Sequence, residues 1–384
     1  MKVKAHSIIL VTFISLLLLS GCEYIYPHAN SPAIANGVVC FGSGDGHLYA
    51  VDANTGQERW RFKTEDRLLS SPLVVNGVVY FGNYEGALMH MGVHVIGYTE
   101  VSDGHLYAVN ITTGQEQWRF ETNGQVSSSP AIANGVVYLG SWDSHLYAVD
   151  ANTGQERWRF KTEDRLLSSP LVVNGVVYFG SWDSHLYAVD ANTGQERWRF
   201  KTEGRVNSKP AIVSGMVYFG SEGGHFYAVD ASTGQEKWKF KAAEDVAYYF
   251  PAIEQGVLYC LGGEALWEYL YAIEIETGQQ KWEFTTGIYQ PSYPAVTDDS
   301  VYVVSNFQDA SAEEFYGRLY ALDAATGVRK WAFIVPAVED KRQEDRDFFF
   351  SPAVASRVVY VGSFHGCLYA LDTQTGQRKW SFKP

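Results

Sequence analysis

Residues 130–161 read PAIANGVVYLGSWDSHLYAVDANTGQERWRFK, and this stretch decides the fold. Asn134-Gly135, set between two apolar runs, is the signal of a tight two-residue hairpin. Trp142-Asp143-Ser144 and Asn152-Thr153-Gly154-Gln155 are turn sequences as well. They divide the stretch into four short strands: A from Pro130, B from Val136, C from His145 and D from Glu156. Strand B is apolar at successive positions, so both faces of its sheet are covered. No helical periodicity interrupts the pattern.

The same stretch recurs along the chain. Residues 47–82 and 145–180 are identical at all 36 positions. The strand-A proline returns as Pro32, Pro72, Pro130, Pro170, Pro210, Pro251, Pro294 and Pro352. The strand-D tryptophan returns as Trp60, Trp118, Trp158, Trp198, Trp238, Trp282, Trp331 and Trp380. Four-stranded units with a period near 40 are the signature of propeller blades. The expectation is all-β: one eight-bladed β-propeller of four-stranded antiparallel blades over residues 31–384. Blade 1 begins with its own strand A and blade 8 ends with its own strand D. The ring should therefore close by packing blade 8 on blade 1, with no exchanged strand.

Differences in length carry information about function. The spacing from Pro to the strand-B Tyr (Cys40 in blade 1) never changes, nor does that from the strand-C Tyr to Trp. The B–C segment gains 18 residues in blade 2, 3 in blade 6 and 9 in blade 7. The D–A connection gains 1 residue after blade 5 and 9 after blade 7. In an antiparallel blade the B–C and D–A connections share one face, so every insertion falls there. That face is expected to be the working face, with long loops at Asn83–Asp103, Asn306–Tyr316 and Ile334–Phe350. Candidate interface residues on it are Tyr98, Trp142, Trp182, Trp267, Phe307, Phe315, Tyr316, Phe348 and Phe349.

Lys2 and Lys4 precede an apolar run from Ile8 to Leu19, too short to span a bilayer but suited to a signal-peptide core. Leu19-Ser20-Gly21-Cys22 resembles the lipobox of bacterial lipoproteins. The resemblance implies a signal peptide over 1–21, a lipid on Cys22 and a tether over 22–30. It places the protein on the periplasmic face of the outer membrane in a cell with two membranes, and on the cell surface otherwise.

The recurring Tyr-Ala-x-Asp-x-x-Thr-Gly-x-x-x-x-Trp resembles the pyrroloquinoline-quinone-type (PQQ-type) propeller repeat over residues 31–382. In that family the strand-D Trp docks on its neighbouring blade near the Ala and Gly of the repeat, which implies a blade-docking role for all eight tryptophans. With the lipobox and the size, the chain looks like the outer-membrane assembly lipoproteins of the BamB type. That resemblance implies membrane-proximal envelope proteins as partners, a monomeric propeller and a scaffold that is not an enzyme.

Other constellations read as structural. His47, His105, His145, His185 and His225 repeat one position, too far apart between blades to share an ion through short bonds. Asp52, Asp150, Asp190, Asp230, Asp323 and Asp372, with Asn110 and Glu274 as variants, precede a Gly turn and suit capping of backbone N–H groups. Cys40, Cys260 and Cys367 read as small apolar strand residues, and there is no C-x-x-C. Three features have two readings each. Trp142 and Trp182 either bind sugars or peptides, or cover the blade edge. Met89-His90-Met91 with His94 either binds copper or packs in an extra hairpin. The acidic and aromatic blade-7 insertions either meet a partner or form a solvated loop with an aromatic anchor.

The chain has 384 residues and a net charge of −13, which argues against nucleic acid and against electrostatic docking on anionic lipid. No cofactor or metal is expected. A quinone-dependent dehydrogenase is the rival class; its members carry adjacent cysteines over the cofactor, and this chain has no Cys-Cys pair. A sugar- or peptidoglycan-binding module acting through exposed Trp is the third.

Overall fold

A computed structural model describes residues 31–65, 67–68, 70–83, 103–242, 251–264, 267–287, 292–309, 314–334, 350–363 and 366–384. These residues form eight four-stranded sheets, each made of four consecutive strands paired in the order A-B-C-D. In blade 3 the strands are Ala131–Ala133, Val136–Gly140, His145–Asp150 and Glu156–Lys161. Blade 1 uses Ala33–Ala35 through Glu58–Lys63, and blade 8 uses Ala353–Ala355 through Arg378–Phe382. The fold is all-β, as the repeat implied, and among the described residues every blade, blade 8 included, uses only its own four strands.

The turns explain the short strands. Asn134 and Gly135 both take left-handed backbone (φ 50° and 72°), the pairing that a two-residue hairpin with the sheet's twist requires. Blade 8 makes the same turn with Ser356 and Arg357 (φ 50° and 62°), an uncommon conformation for a long side chain. In strand C the register slips by one residue between Ala148 and Val149, a bulge that recurs in every blade.

The molecule has eight cores, each straddling two adjacent blades. Val136, Tyr138, Leu146 and Ala148 of blade 3 pack against Val177, Phe179, Tyr187 and Val189 of blade 4. The last core joins Tyr360, Leu368, Ala370 and Phe382 of blade 8 to Val39, Phe41, Tyr49 and Val51 of blade 1. Strand D is exposed at alternate positions and forms the rim, whereas the A strands of neighbouring blades approach one another around the axis.

The blade-6 and blade-7 insertions differ from expectation. They lengthen the B–C hairpin instead of adding a loop. In blade 7 strand B runs over Ser300–Asp309 and strand C over Glu314–Asp323, paired out to Asp309↔Glu314. Blade 6 pairs Val257–Glu264 with Trp267–Glu274 in the same way. Aromatic and β-branched residues favour the pleated surface, and ladder bonds satisfy backbone groups that a loop would leave to water. The lengthened hairpins still rise from the B–C face. The inserted segments 84–102 and 335–349 lie outside the described residues.

Candidate interaction face

The eight strand-D tryptophans form one closed chain of contacts. Trp158 Nε1 donates to Ala191 O of the next blade at 3.2 Å, and Tyr138 Oη donates to the same carbonyl at 3.0 Å. The indole lies flat on Gly194, where an added Cβ would sit 2.7 Å from Trp158 Cε3. Trp60, Trp118, Trp198, Trp238, Trp282 and Trp331 repeat the arrangement, and Trp380 completes it on Ala53 and Gly56 of blade 1. The neighbour-facing Gly has positive φ, so both the turn and the ring exclude a side chain there. Blade 1 carries Cys40 where most blades have the strand-B Tyr, so Ile111 O receives Trp60 without a phenol beside it.

The strand-C aspartates cap their turns. Asp150 Oδ1 accepts from the N–H groups of Asn152 and Thr153, both at 3.0 Å, while Oδ2 meets Arg157 Nη2 at 2.6 Å. The guanidinium, followed by the backbone donors, holds the Asp150 carboxyl at about 2, and the same causes act on Asp52. The histidines are held locally: His145 Nδ1 bonds Asp143 O at 2.9 Å, and its ring packs on Tyr147. Among the described residues no group of three or more His, Cys, Asp or Glu is placed to hold a metal ion. Cys40, Cys260 and Cys367 are buried, and burial pushes the Cys40 thiol up to about 12.

On the B–C face, Trp142 and Trp182 of neighbouring blades come together, with ring centres 6.1 Å apart. Arg165, from the connection between those blades, lies against both: its guanidinium is 5.0 Å from the Trp142 ring and 5.5 Å from Trp182. Arg205, one connection further on, lies 4.1 Å over Trp182. The indole N–H groups donate to Ser127 Oγ and Asn207 Oδ1. The D–A connections also bond the turn tips, Gln125 O to Trp142 N and Arg165 O to Trp182 N. The result is a cluster of two indoles and two guanidiniums across blades 3 to 5, each cation–ring pair contributing on the order of 1 kcal/mol. Arg205 covers a face of Trp182 that a sugar ring would need.

Sequence reasoning singled out the two tryptophans and missed Arg165 and Arg205. Their signal was the Arg that recurs in the D–A connections, seen also at Arg67. Of the other interface candidates, Trp267, Phe307, Phe315 and Tyr316 lie on the lengthened hairpins, with Phe307 paired to Tyr316 in the backbone register. Cys22, Tyr98, Phe348, Phe349 and the Met89–His94 cluster lie outside the described residues.

This geometry defines a PQQ-type eight-bladed propeller whose length variation is confined to one face. The family model described as outer membrane protein assembly factor BamB matches residues 102–204 and 182–384, and the chain belongs to that family. A second model, for the β-propeller domain of glucose/ethanol/alcohol dehydrogenases, matches residues 25–129. No curated protein matches the sequence. Among solved structures, BamB from Moraxella catarrhalis is similar at 16% identity and TM-score 0.67, over 88% of this chain and 95% of that one. The computationally designed Ika8 protein is similar at 16% identity and TM-score 0.69, over 90% and 97%. A europium-containing methanol dehydrogenase is similar at 16% identity and TM-score 0.60, over 82% and 77%. These likenesses are likenesses of fold.

Proposed function

We propose that the protein is a non-catalytic, lipid-anchored propeller that serves as a protein-interaction scaffold in the bacterial envelope, in outer-membrane protein assembly. The observation that carries this reading is the confinement of every insertion to the B–C/D–A face, while the opposite face keeps turns of fixed length. Membership of the BamB family supports it. Cys22, by its lipobox, anchors the chain. Only ten residues separate it from Pro32, a reach of at most about 35 Å. Strand A begins on the insertion face, so the tether enters there and that face lies close to the membrane. The partner is then a protein embedded in, or lying on, that membrane.

The test is capture from native membranes. Trimming the blade-2 and blade-7 insertions to blade-3 length should abolish partner capture, and altering the Asn-Thr-Gly turns on the other face should leave it intact. The opposite pattern overturns the assignment of faces. Cys22→Ser should release a folded, soluble protein; retention on membranes after a salt wash counts against lipid as the anchor.

A quinone-dependent dehydrogenase relationship is the second reading, favoured by the dehydrogenase-propeller match over residues 25–129. Dye-linked alcohol oxidation by the purified protein supplied with quinone and calcium would support it.

A further inference from the structure

Strand D is the outer edge of every blade, so its outward backbone groups have no ladder partner among the described residues. Charged side chains blunt such an edge. Blade 3 shows the pattern: Glu156 pairs with Arg159 at 2.8 Å, Arg159 lies over the Tyr147 ring, and Lys161 is exposed. Of the two positions that correspond to Arg159 and Lys161, at least one is charged in blades 1 to 6 and in blade 8. The position that corresponds to Gln155 is Gln in those same blades.

Blade 7 departs at every one of these positions. Val328 stands in place of Gln155, Arg329 of Glu156, Ala332 of Arg159 and Ile334 of Lys161. Val328 is 65% exposed and Ile334 52%, and they are the exposed large hydrophobic side chains among the described residues. Ala332 is exposed as well, and strand alternation puts it on the same sheet face as Ile334. The apolar stripe from Val328 to Ile334 is about 20 Å long. With both members of the Glu156–Arg159 pair replaced, Arg329 has no ion pair among the described residues; the nearby Asp299 and Asp323 face Lys330 instead.

An open, apolar edge is a template for strand addition. Charge selects the occupant. A second copy would bring the same Arg329–Ile334 strand, which holds no carboxylate to meet Arg329. A foreign segment can supply one.

We propose that the blade-7 rim binds an extended segment of another protein by strand addition, apolar at alternate positions and carrying a carboxylate that meets Arg329. The added backbone pairs with Arg329–Ile334, and its apolar side chains cover Ala332 and Ile334 across the new ladder. The inference needs neither the lipid anchor nor the insertions, so it stands apart from the scaffold reading.

The experiment is fluorescence-anisotropy titration of the full chain with a labelled, end-capped peptide, Glu-Thr-Val-Thr-Val-Thr-Glu. Its acidic and apolar side chains share one face in either strand direction. It should bind saturably, and more tightly than Lys-Thr-Val-Thr-Val-Thr-Lys. The net charge of −13 repels an acidic peptide in general, so this preference reports Arg329 and not a diffuse attraction. Ile334→Lys installs the residue of blades 1, 3, 4, 5 and 8, so it should fold. It should weaken binding by at least about tenfold, the loss expected when one large apolar contact is removed. Arg329→Glu installs the residue of blade 3 and should reverse the preference between the two peptides. Bound peptide should slow backbone hydrogen exchange in residues 329–334 and leave the equivalent strand of blade 3, residues 156–161, unchanged. Absence of saturable binding, equal affinity in Ile334→Lys, or protection that leaves out 329–334 overturns the proposal. Dimerisation that is lost in Ile334→Lys, without peptide binding, assigns the rim to a second copy and overturns it too.

Discussion

Trp380 Nε1 donates to Ala53 O at 3.1 Å, joining the last strand of the last blade to the third turn of the first. Its ring lies on Gly56, where a Cβ would meet Trp380 Cε3 at 2.5 Å. Seven other Trp–carbonyl pairs repeat this bond, but this one spans 327 residues and closes the ring. Trp380→Ala should cost about 3–5 kcal/mol, the range for removing a large packed aromatic. Trp158→Ala removes an equivalent contact within the array. If urea unfolding shows no loss for Trp380→Ala, the ring closes by other means.

The neighbour-facing glycines should tolerate no side chain. At Gly194 the backbone φ is 70° and a Cβ would lie 2.7 Å from the Trp158 ring. Gly194→Ala should destabilise by about 2–4 kcal/mol, the sum of left-handed strain and a displaced indole. Gly135→Ala, at φ 72° with nothing near its Cβ, should lose only the strain, about 1 kcal/mol. Equal losses in thermal unfolding would show that the indole gives way freely.

Arg357 offers a gain. It holds φ 62° at a turn position that is Gly in most blades. Arg357→Gly should raise stability by about 0.5–1 kcal/mol, because glycine takes that conformation without a Cβ clash. A lower unfolding midpoint in the variant would mean that the arginine side chain stabilises the turn by more than its backbone strains it.

The turn aspartates set the response to acid. Asp52, Asp150 and Asp190 have carboxyls held at about 2, against an ordinary value of 3.8. A depressed folded-state value means the contribution is complete above pH 4 and is lost as the pH falls toward 2. These groups are open to solvent, so salt should weaken the effect. Asn110 caps the blade-2 turn by the same two backbone bonds without a charge. The triple variant Asp52→Asn, Asp150→Asn, Asp190→Asn should therefore fold and show a shallower fall in urea midpoint between pH 4 and 2. A slope equal to that of the unaltered protein would place acid sensitivity elsewhere.

Cys40 and Cys260 should be inert in the folded protein. Both are fully buried, and desolvation raises both thiols, Cys40 to about 12. Thiolate is the reactive form, so maleimide labelling at pH 8 should reach them only after unfolding. Rapid labelling of either in the native state would contradict the packing of strand B.

Much of this architecture can be read from one blade. Asn134-Gly135 and the all-apolar Val136–Gly140 specify a hairpin buried on both faces, and near-identical copies specify the count. The lengthened hairpins were less legible. Residues 300–309 and 314–323 depart from the repeat, and a departure reads as a loop until the ladder is seen to continue through Phe307↔Tyr316. Arg165 and Arg205 gave a weaker signal still, because a guanidinium that touches two indoles from different blades needs those blades already packed side by side.

The sequence by itself determined the strands, the turns, the number of blades and the face that varies, because these depend on residues within about 40 positions of one another. Tertiary structure alone decided what meets across blades, Trp380 on Ala53 and Arg165 against both Trp142 and Trp182, because these partners touch only once neighbouring blades have packed side by side.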